Sequence, residues 1–509
     1  MQYGIETGSR VERWGIYEVS LSVPVTAANP FRDITLSAVF SNGANEVEVP
    51  GFYDGNNTFK IRFSPEVEGN WTYKTHSDCS DLDGKSGSFS CYGAKEGNHG
   101  PVVAQGQHFF YADGTPYYPM GTTAYVWHYQ KEERIQQTLT SFSKYDFNKI
   151  RMLFFPKQYA GGPNDLHKVD YNPEHLPFLE EGGKLDFSKP NPDYYALYEK
   201  RVLQLLELGI EADVILFHVY DQGLWNIPQT MTEEDDAWYV QYIVARMSAF
   251  RNVWWSLANE YDLFGISLPV SANGCKPKDW EKIGYQIQKI DPHQRLRSVH
   301  NLPWAPIYPN SPWVTHTSYQ HPNTWSLAIM LKNQTNKPVI NDEYQYEGNV
   351  TNDYGNCSDA LELKRHWMAA LAGAYATHGE IYYWEEEPDH LFWATGGTLQ
   401  GGSPPKLKYL KQVMESVPFY EMQPDLQLSD GVDFFCLGKG DDLLLYFFGP
   451  GFKDRPKFPL GHKLVSEDEY ELEIHDVWNC HKICTVKAKG GGTHIRMPAF
   501  CVLIAKKIS

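Results

Sequence analysis

Apolar and polar positions change rhythm twice along this 509-residue chain. Over residues 1–98 short alternating runs dominate, among them DITLSAVF, NEVEVPGF, TFKIRF and WTYKTH, with turn signals at Asn42-Gly43, Asp54-Gly55 and Glu68-Gly69-Asn70. Alternation places every second side chain on one face, so this stretch predicts the half-buried strands of an immunoglobulin-like β-sandwich. Over residues 99–417 continuous apolar runs instead alternate with helical stripes. The clearest unit spans Asn191 to His218. Pro192 suits a first helical position and Asp193 a first turn. Tyr198, Val202, Leu205 and Leu206 form the stripe, Gly209 closes the helix, and ADVILFH reads as a fully buried strand. Trp280, Ile283, Ile287 and Ile290 mark another helix before RLRSVH. The candidate strands are YPMGTTAY, KIRMLFF, ADVILFH, NVWWSLA, RLRSVH, WVTHTSY, KPVIND and GEIYYW, with helical patterns between most of them. That succession predicts a (β/α)8 barrel, and no GxGxxG follows an early strand to favour an open doubly wound sheet. After the helical PKLKYLKQVMESV, alternation returns in DLLLYFF, YELEIHDVW and FCVLIAK, predicting a β-sandwich-like domain over 418–509.

Composition narrows the partners. An excess of 63 acidic over 45 basic side chains gives a net charge of −18. Such a chain lacks the basic patch that nucleic acid or an anionic membrane would need. No apolar run reaches the length of a membrane span. The N-terminal MQYGIETGSRVERWG has no basic segment followed by an apolar one, so the expectation is a cytoplasmic chain; a secreted chain whose leader had been cut would read the same way. Cys480 and Cys484 have no second close pair, so no zinc site, and no other cofactor, is expected. Cys79 and Cys91 could be bridged in an oxidising compartment, whereas a cytoplasmic chain would keep them as thiols. The pattern sets no oligomeric state. An aromatic share of 15% suits either large cores or sugar-stacking surfaces, which makes carbohydrate the partner class to test against the chemistry.

The chemistry lies at strand ends. WWSLANEYD (254–262) and KPVINDEYQYEG (337–348) each carry an apolar run onto a carboxylate. In a barrel the C-terminal strand ends build the active site. Those ends supply Tyr125, Trp127 and His128, then Arg151, then His218 with Tyr220 and Asp221 behind it. They continue with Asn259 and Glu260; His316, Tyr319 and His321; Glu343; and finally Trp384 and Glu385. Glu260 and Glu343 stand on strands four and seven, across the mouth from each other. Glycoside hydrolysis requires such a pair, one carboxylic acid to protonate the leaving oxygen and one carboxylate to attack the anomeric carbon. A single Glu would read as a strand cap or an ion pair; two of them amid Trp, Tyr, His and Arg read as catalysis.

WSLANE and VINDEY resemble the strand-four and strand-seven motifs of the clan A glycoside hydrolases. More narrowly, YPMGTTAYVW, LDFSKPNPDYYALYEKRV, QHPNTW, KPVINDEYQYEGN and THGEIYYW are similar to the family with an apiosidase-like catalytic domain. Its multidomain members carry an N-terminal β-sandwich and a small C-terminal β-domain. The resemblance implies a retaining enzyme with Glu260 as acid/base and Glu343 as nucleophile. It further implies that Asn259 bonds the sugar 2-hydroxyl, Arg151 keeps Glu343 ionised, and Tyr319 donates to Glu343, with His316 and His321 competing for that strand-six role. Trp384 would floor the sugar site and His218 would orient substrate or Glu260. Trp127 and Glu385 complete the expected substrate-binding set, Glu385 and Asp389 as carboxylates that accept from sugar hydroxyls and repel an acidic sugar. With the long connection 156–187 walling the mouth, the expectation is exo action on small neutral glycosides. Three other readings compete. A metal-dependent hydrolase would want His-x-His on strand one, where TTAYVWHY has a single His. A non-catalytic carbohydrate-binding protein would need the aromatics but not the carboxylate pair. A transglycosylase would share every catalytic residue.

Overall fold

The computed structural model describes residues 4–24, 26–157, 172–218, 227–263, 277–302, 308–351, 354–384, 391–451, 458–459, 468–489, 494–495 and 497–508. An eight-stranded sheet runs from Ile5 to Tyr92. Its inward positions, Phe40, Phe63, Trp71 and Phe89 among them, make one core in which Phe40 stacks on Phe63 at 4.5 Å. Gly43 and Gly55 have φ of 87° and 80°, the left-handed conformation that the Asn-Gly and Asp-Gly turns require.

The barrel follows. Its strands are β1 (Gly121–Thr123), β2 (Lys149–Leu153), β3 (Glu211–Phe217), β4 (Val253–Ala258), β5 (Arg297–Ser298), β6 (Thr317–Gln320), β7 (Val339–Glu343) and β8 (Tyr375–His378). They form one eight-stranded sheet in the order β5-β4-β3-β2-β1-β8-β7-β6, every paired neighbour parallel. The gap between β5 and β6 is bridged by Thr315, whose N–H donates to Arg297 O at 2.9 Å and whose hydroxyl accepts from Arg297 N at 2.7 Å. Helices α1 (Glu132–Lys144), α2 (Pro192–Glu207), α3 (Glu233–Met247), α4 (Trp280–Ile290), α5 (Ser326–Gln334), α6 (Asp359–Leu371) and α7 (Pro404–Glu415) surround the sheet. Asn191 caps α2 by accepting from Asp193 N, and Thr232 and Asp235 form a reciprocal capping box on α3. None of the described helices is long and apolar enough to cross a membrane.

Side chains fill the barrel in layers. At the bottom, the strands Val102–Gln105, His108–Tyr111 and Pro116–Tyr117 close the N-terminal end, with Phe109 5.2 Å from Trp254 and 5.5 Å from both His316 and Tyr375. Above Trp254 lies a charged layer around Lys149, whose Nζ sits 5.6 Å from the indole.

Buried ions join the first sheet to the barrel. Arg246 of α3 binds Glu199 of α2 at 2.6 Å and Asp54 at 2.6 Å, and Arg62 binds Glu199 at 2.9 Å and Glu18 at 2.8 Å. The chain ends in a six-stranded antiparallel sheet between Gln423 and Lys507. It packs on α6 through Trp367, stacked on Phe447 at 5.6 Å.

Candidate active site

A β-bulge on β7 builds the site. Ser318 pairs with Ile340 and Tyr319 with Asn341, but Gln320 pairs with Glu343, so one extra residue stands on β7. Strict alternation would send Asp342 and Glu343 to opposite faces; the extra residue lets both enter the barrel.

Asp342 takes the middle layer. Lys149 Nζ lies 2.8 Å from Asp342 Oδ1 and 2.6 Å from Asp213 Oδ2, while Thr377 and Ser318 each donate to Asp342 at 2.7 Å. Burial opposes its charge, but Lys149 and Arg151 outweigh burial and hold the carboxyl well below the usual carboxylate range. Burial raises Asp213, which sees the Asp342 charge beyond the same ammonium.

Glu343 takes the upper layer. Its Oε2 accepts from Arg151 Nη1 at 3.2 Å and from Tyr125 OH at 3.2 Å, and His300 Nε2 lies 3.3 Å away. Its Oε1 accepts from Tyr346 OH at 2.8 Å. Burial works against the charge, yet His300 and Arg151 prevail and hold Glu343 far below the usual range. Burial and Arg151 in turn lower His300. The other guanidinium nitrogen of Arg151 donates to Asn259 Oδ1, which fixes the residue before Glu260.

Glu260 stands half-buried at the end of β4 with φ of 48°, the left-handed region that side-chain-bearing residues seldom adopt. Its carboxylate meets Gln320 of β6. With the Gln320 amide oriented so that oxygen does not face oxygen, Nε2 donates toward Asn301 O (3.0 Å) and Glu260 Oε1 (3.2 Å) and lies 3.2 Å from His300 Nε2. The Gln320 Oε1 then lies 3.2 Å from the hydroxyl of Tyr354, which also bonds Glu343.

Other expected positions fall elsewhere. Tyr319 follows the outward alternation of β6 and its ring joins the main core; among the described residues the hydroxyls on Glu343 are those of Tyr125, Tyr346 and Tyr354. Trp127 is fully buried and packs edge-on against Phe142 of α1, away from the mouth. His218 is buried at the end of β3 beside the backbone of Pro156 and Phe155, and burial and Lys157 push its ring down to about 3, so it is neutral. Trp384 is 43% exposed and stacks on Tyr382 at 6.0 Å. The indole beside the Glu343 shell is instead Trp393, 6.3 Å from Tyr125 and 6.1 Å from Tyr346. Glu385, Asp389, Tyr220 and Asp221 lie outside the described residues. His300, Gln320, Tyr346, Tyr354 and Trp393 were not among the expected set. For two of them a signal existed: His300 ends RLRSVH, and Gln320 is the in-facing neighbour of Tyr319.

Among the described residues one group has the composition of a cation site. Ligand atoms of Glu347, His378 and Glu380 lie within 4.8 Å of one another, all buried. Glu347, however, already accepts from Gly402 N (2.7 Å), Tyr382 OH (3.1 Å), Ser403 N (3.1 Å) and the Ser403 hydroxyl. Glu380 accepts from Gln400 N (2.6 Å) and Gly401 N (2.7 Å), and burial pushes it up to about 8. Two donors on each oxygen of Glu347 fill its lone pairs, so the group reads as a clamp on the segment leading into α7.

The profile described as "Apiosidase-like, catalytic domain" matches residues 104–421, and that of a domain of unknown function, DUF5060, matches residues 10–78. Among solved structures, a glycoside hydrolase candidate from Bacteroides vulgatus ATCC 8482 is 34% identical, covers 98% of this chain and 100% of its own, and superposes with a TM-score of 0.85. A family 5 glycoside hydrolase from the same organism is 16% identical over 80% of this chain and 93% of its own, with a TM-score of 0.60. The latter likeness is one of fold. No curated protein matches.

Proposed function

The chain belongs to the family with an apiosidase-like catalytic domain, and from that membership we propose a retaining glycoside hydrolase, exo-acting on small neutral glycosides, with Glu343 as nucleophile and Glu260 as acid/base. The observation that carries this reading is a Glu343 carboxylate kept ionised by His300 and Arg151, with Glu260 meeting that same His300 across the Gln320 amide. In the first step Glu343 attacks the anomeric carbon while Glu260 gives its proton to the departing glycosidic oxygen. The glycosyl ester that results leaves Glu343 uncharged and Glu260 ionised. Glu260 then takes a proton from water, whose oxygen attacks the same carbon and returns Glu343 as a carboxylate. Tyr125 and Tyr346 line up the attacking carboxylate, and Asn259, held through its oxygen by Arg151, is the residue assigned to a sugar hydroxyl. The fold-level likeness to glycoside hydrolases supports hydrolysis of carbohydrate as the reaction class.

The test is a screen of aryl glycosides, each neutral sugar matched with its uronide, followed by NMR of the first-formed anomer. Retention is expected; an inverted first product would overturn the double displacement. Binding without turnover of any glycoside would favour a carbohydrate-binding protein, and products built on an added acceptor sugar would favour transglycosylation. Lys157 places a cation 5.5 Å from the Tyr125 ring and 5.6 Å from Trp393. A preference for the uronide would assign that ammonium to a substrate carboxylate and refute the neutral-substrate claim. Because Glu343 is held so low, the acidic limb of kcat/KM should fall well below the ordinary Glu value of about 4.3. An acidic limb near or above that value would mean that Glu343 is not held ionised in the way described.

A further inference from the structure

We propose that Gln320 is the positioning residue of Glu260, and that its amide N–H favours the ionised form that serves as base in the second step. The inference rests on the reading of Glu260 as acid/base. Gln320 is almost fully buried on β6, opposite Glu343 in register, so its side chain has little freedom to turn away. Asn301 O, a carbonyl that can only accept, fixes the orientation of the nitrogen, and the amide oxygen then lies 3.2 Å from Tyr354 OH. That nitrogen has two hydrogens. One goes to Asn301 O at 3.0 Å, leaving the other to Glu260 Oε1, or to His300 Nε2 whenever that atom bears no proton, both at 3.2 Å.

The strength of the amide's bond to Glu260 follows the charge. While Glu260 carries its proton its oxygen is the weaker acceptor, and His300 Nε2, whose proton faces the Glu343 carboxylate 3.3 Å away, does not compete for the amide hydrogen. Once Glu260 has protonated the leaving group, its negative charge draws the same hydrogen, because a hydrogen bond to a charged acceptor is about twice as strong as one between neutral groups. Glu343 is then an ester and no longer repels the new charge. Among the described residues, the groups that meet Glu260 from neighbouring elements include Tyr125 beyond β1 and Tyr354 beyond β7, which both also feel the charge of Glu343 on β7, and His300 beyond β5 across the Gln320 amide. Glu343 opposes ionisation in the resting enzyme, and the Gln320 amide donates to Glu260 itself.

An N–H that stabilises the anion lowers the pKa of the acid, so removing it should raise that pKa. Gln320→Leu should therefore move the basic limb of kcat/KM upward by roughly one pH unit. With a leaving group good enough that the second step limits, kcat of the variant should fall at neutral pH, because the ionised base is scarcer. Gln320→Glu, of the same size, should move the limb at least as far, since it sets a second carboxylate against Glu260; a variant that is only loosened would lose rate without moving the limb. Circular dichroism confirms that each variant is folded, and Glu260→Ala is the control. If the basic limb survives in Glu260→Ala, the reading of Glu260 fails, and this inference with it. If the limb vanishes there but stays in place in both Gln320 variants, the inference about Gln320 alone is overturned.

Discussion

Turnover should fall by at least a factor on the order of 10⁴ when Glu343 is replaced by Ala, with the fold intact. The size follows from what is removed. Arg151, His300, Tyr125 and Tyr346 all converge on this one carboxylate, so no neighbouring anion stands ready to take its place. The substitution leaves space in front of a guanidinium that still holds Asp342 O and Asn259, a pocket suited to a small anion. Millimolar azide should then restore part of the turnover and give a glycosyl azide of inverted configuration. Activity near the wild-type level in Glu343→Ala would sink the assignment of the nucleophile.

Replacing Lys149 by Met should destabilise the protein by about 3–5 kcal/mol. Lys149 is fully buried between Asp213 and Asp342, and its removal strands two carboxylates in the barrel interior. The pH dependence should change as well. In the wild type Asp342 is depressed below its unfolded value of about 3.9, so its contribution is present above that value and lost as pH falls through the folded pKa. In the variant both carboxylates have lost the ammonium; burial and the Asp342 charge raise Asp213 further, Asp342 keeps Arg151 and His300 against burial, and the folded state binds protons more readily than in the wild type. Relative to the wild type, stability of the variant should therefore rise as pH falls from 7 toward about 4, so that the gap in Tm between the two narrows. Calorimetric Tm values across that range check it. Parallel curves would mean that Lys149 does not hold the pair ionised.

Much of this architecture could be read from residue order because barrel strands such as β3, β4 and β7 end in an identifiable switch from apolar to polar residues. Asn259, Glu260 and Glu343 sit at such switches, and Arg151 lies with Lys149 inside a fully buried strand where cations need partners. What failed was anything depending on register. Tyr319 and Gln320 are adjacent, and only the count from Ser318 inward decides that Gln320 faces Glu260 while Tyr319 faces the core. The bulge that turns both Asp342 and Glu343 inward breaks the alternation that the reading relied on. Loop geometry was equally hidden. Trp384 is nearer than Trp393 to the end of β8, but Trp393 lies beside Tyr125 because the backbone returns there, with Tyr125 N donating to Trp393 O at 2.9 Å. Tyr346 and Tyr354 lie in the segment that follows β7, where no periodicity announces which rings turn back toward the strand end.

The left-handed backbone at Glu260 has a consequence for protein engineering. Any residue with a Cβ pays about 1–2 kcal/mol there relative to glycine, partly offset by the greater freedom of glycine in the unfolded chain. The usual ranking of Ala above Gly should thus reverse at this position, Glu260→Gly being more heat-resistant than Glu260→Ala by up to about 1 kcal/mol. A library selected for thermal tolerance alone would drift toward glycine at position 260 and so collect proteins that are sturdier and chemically silent. Any stabilisation campaign on this scaffold therefore has to score turnover in the same round as melting.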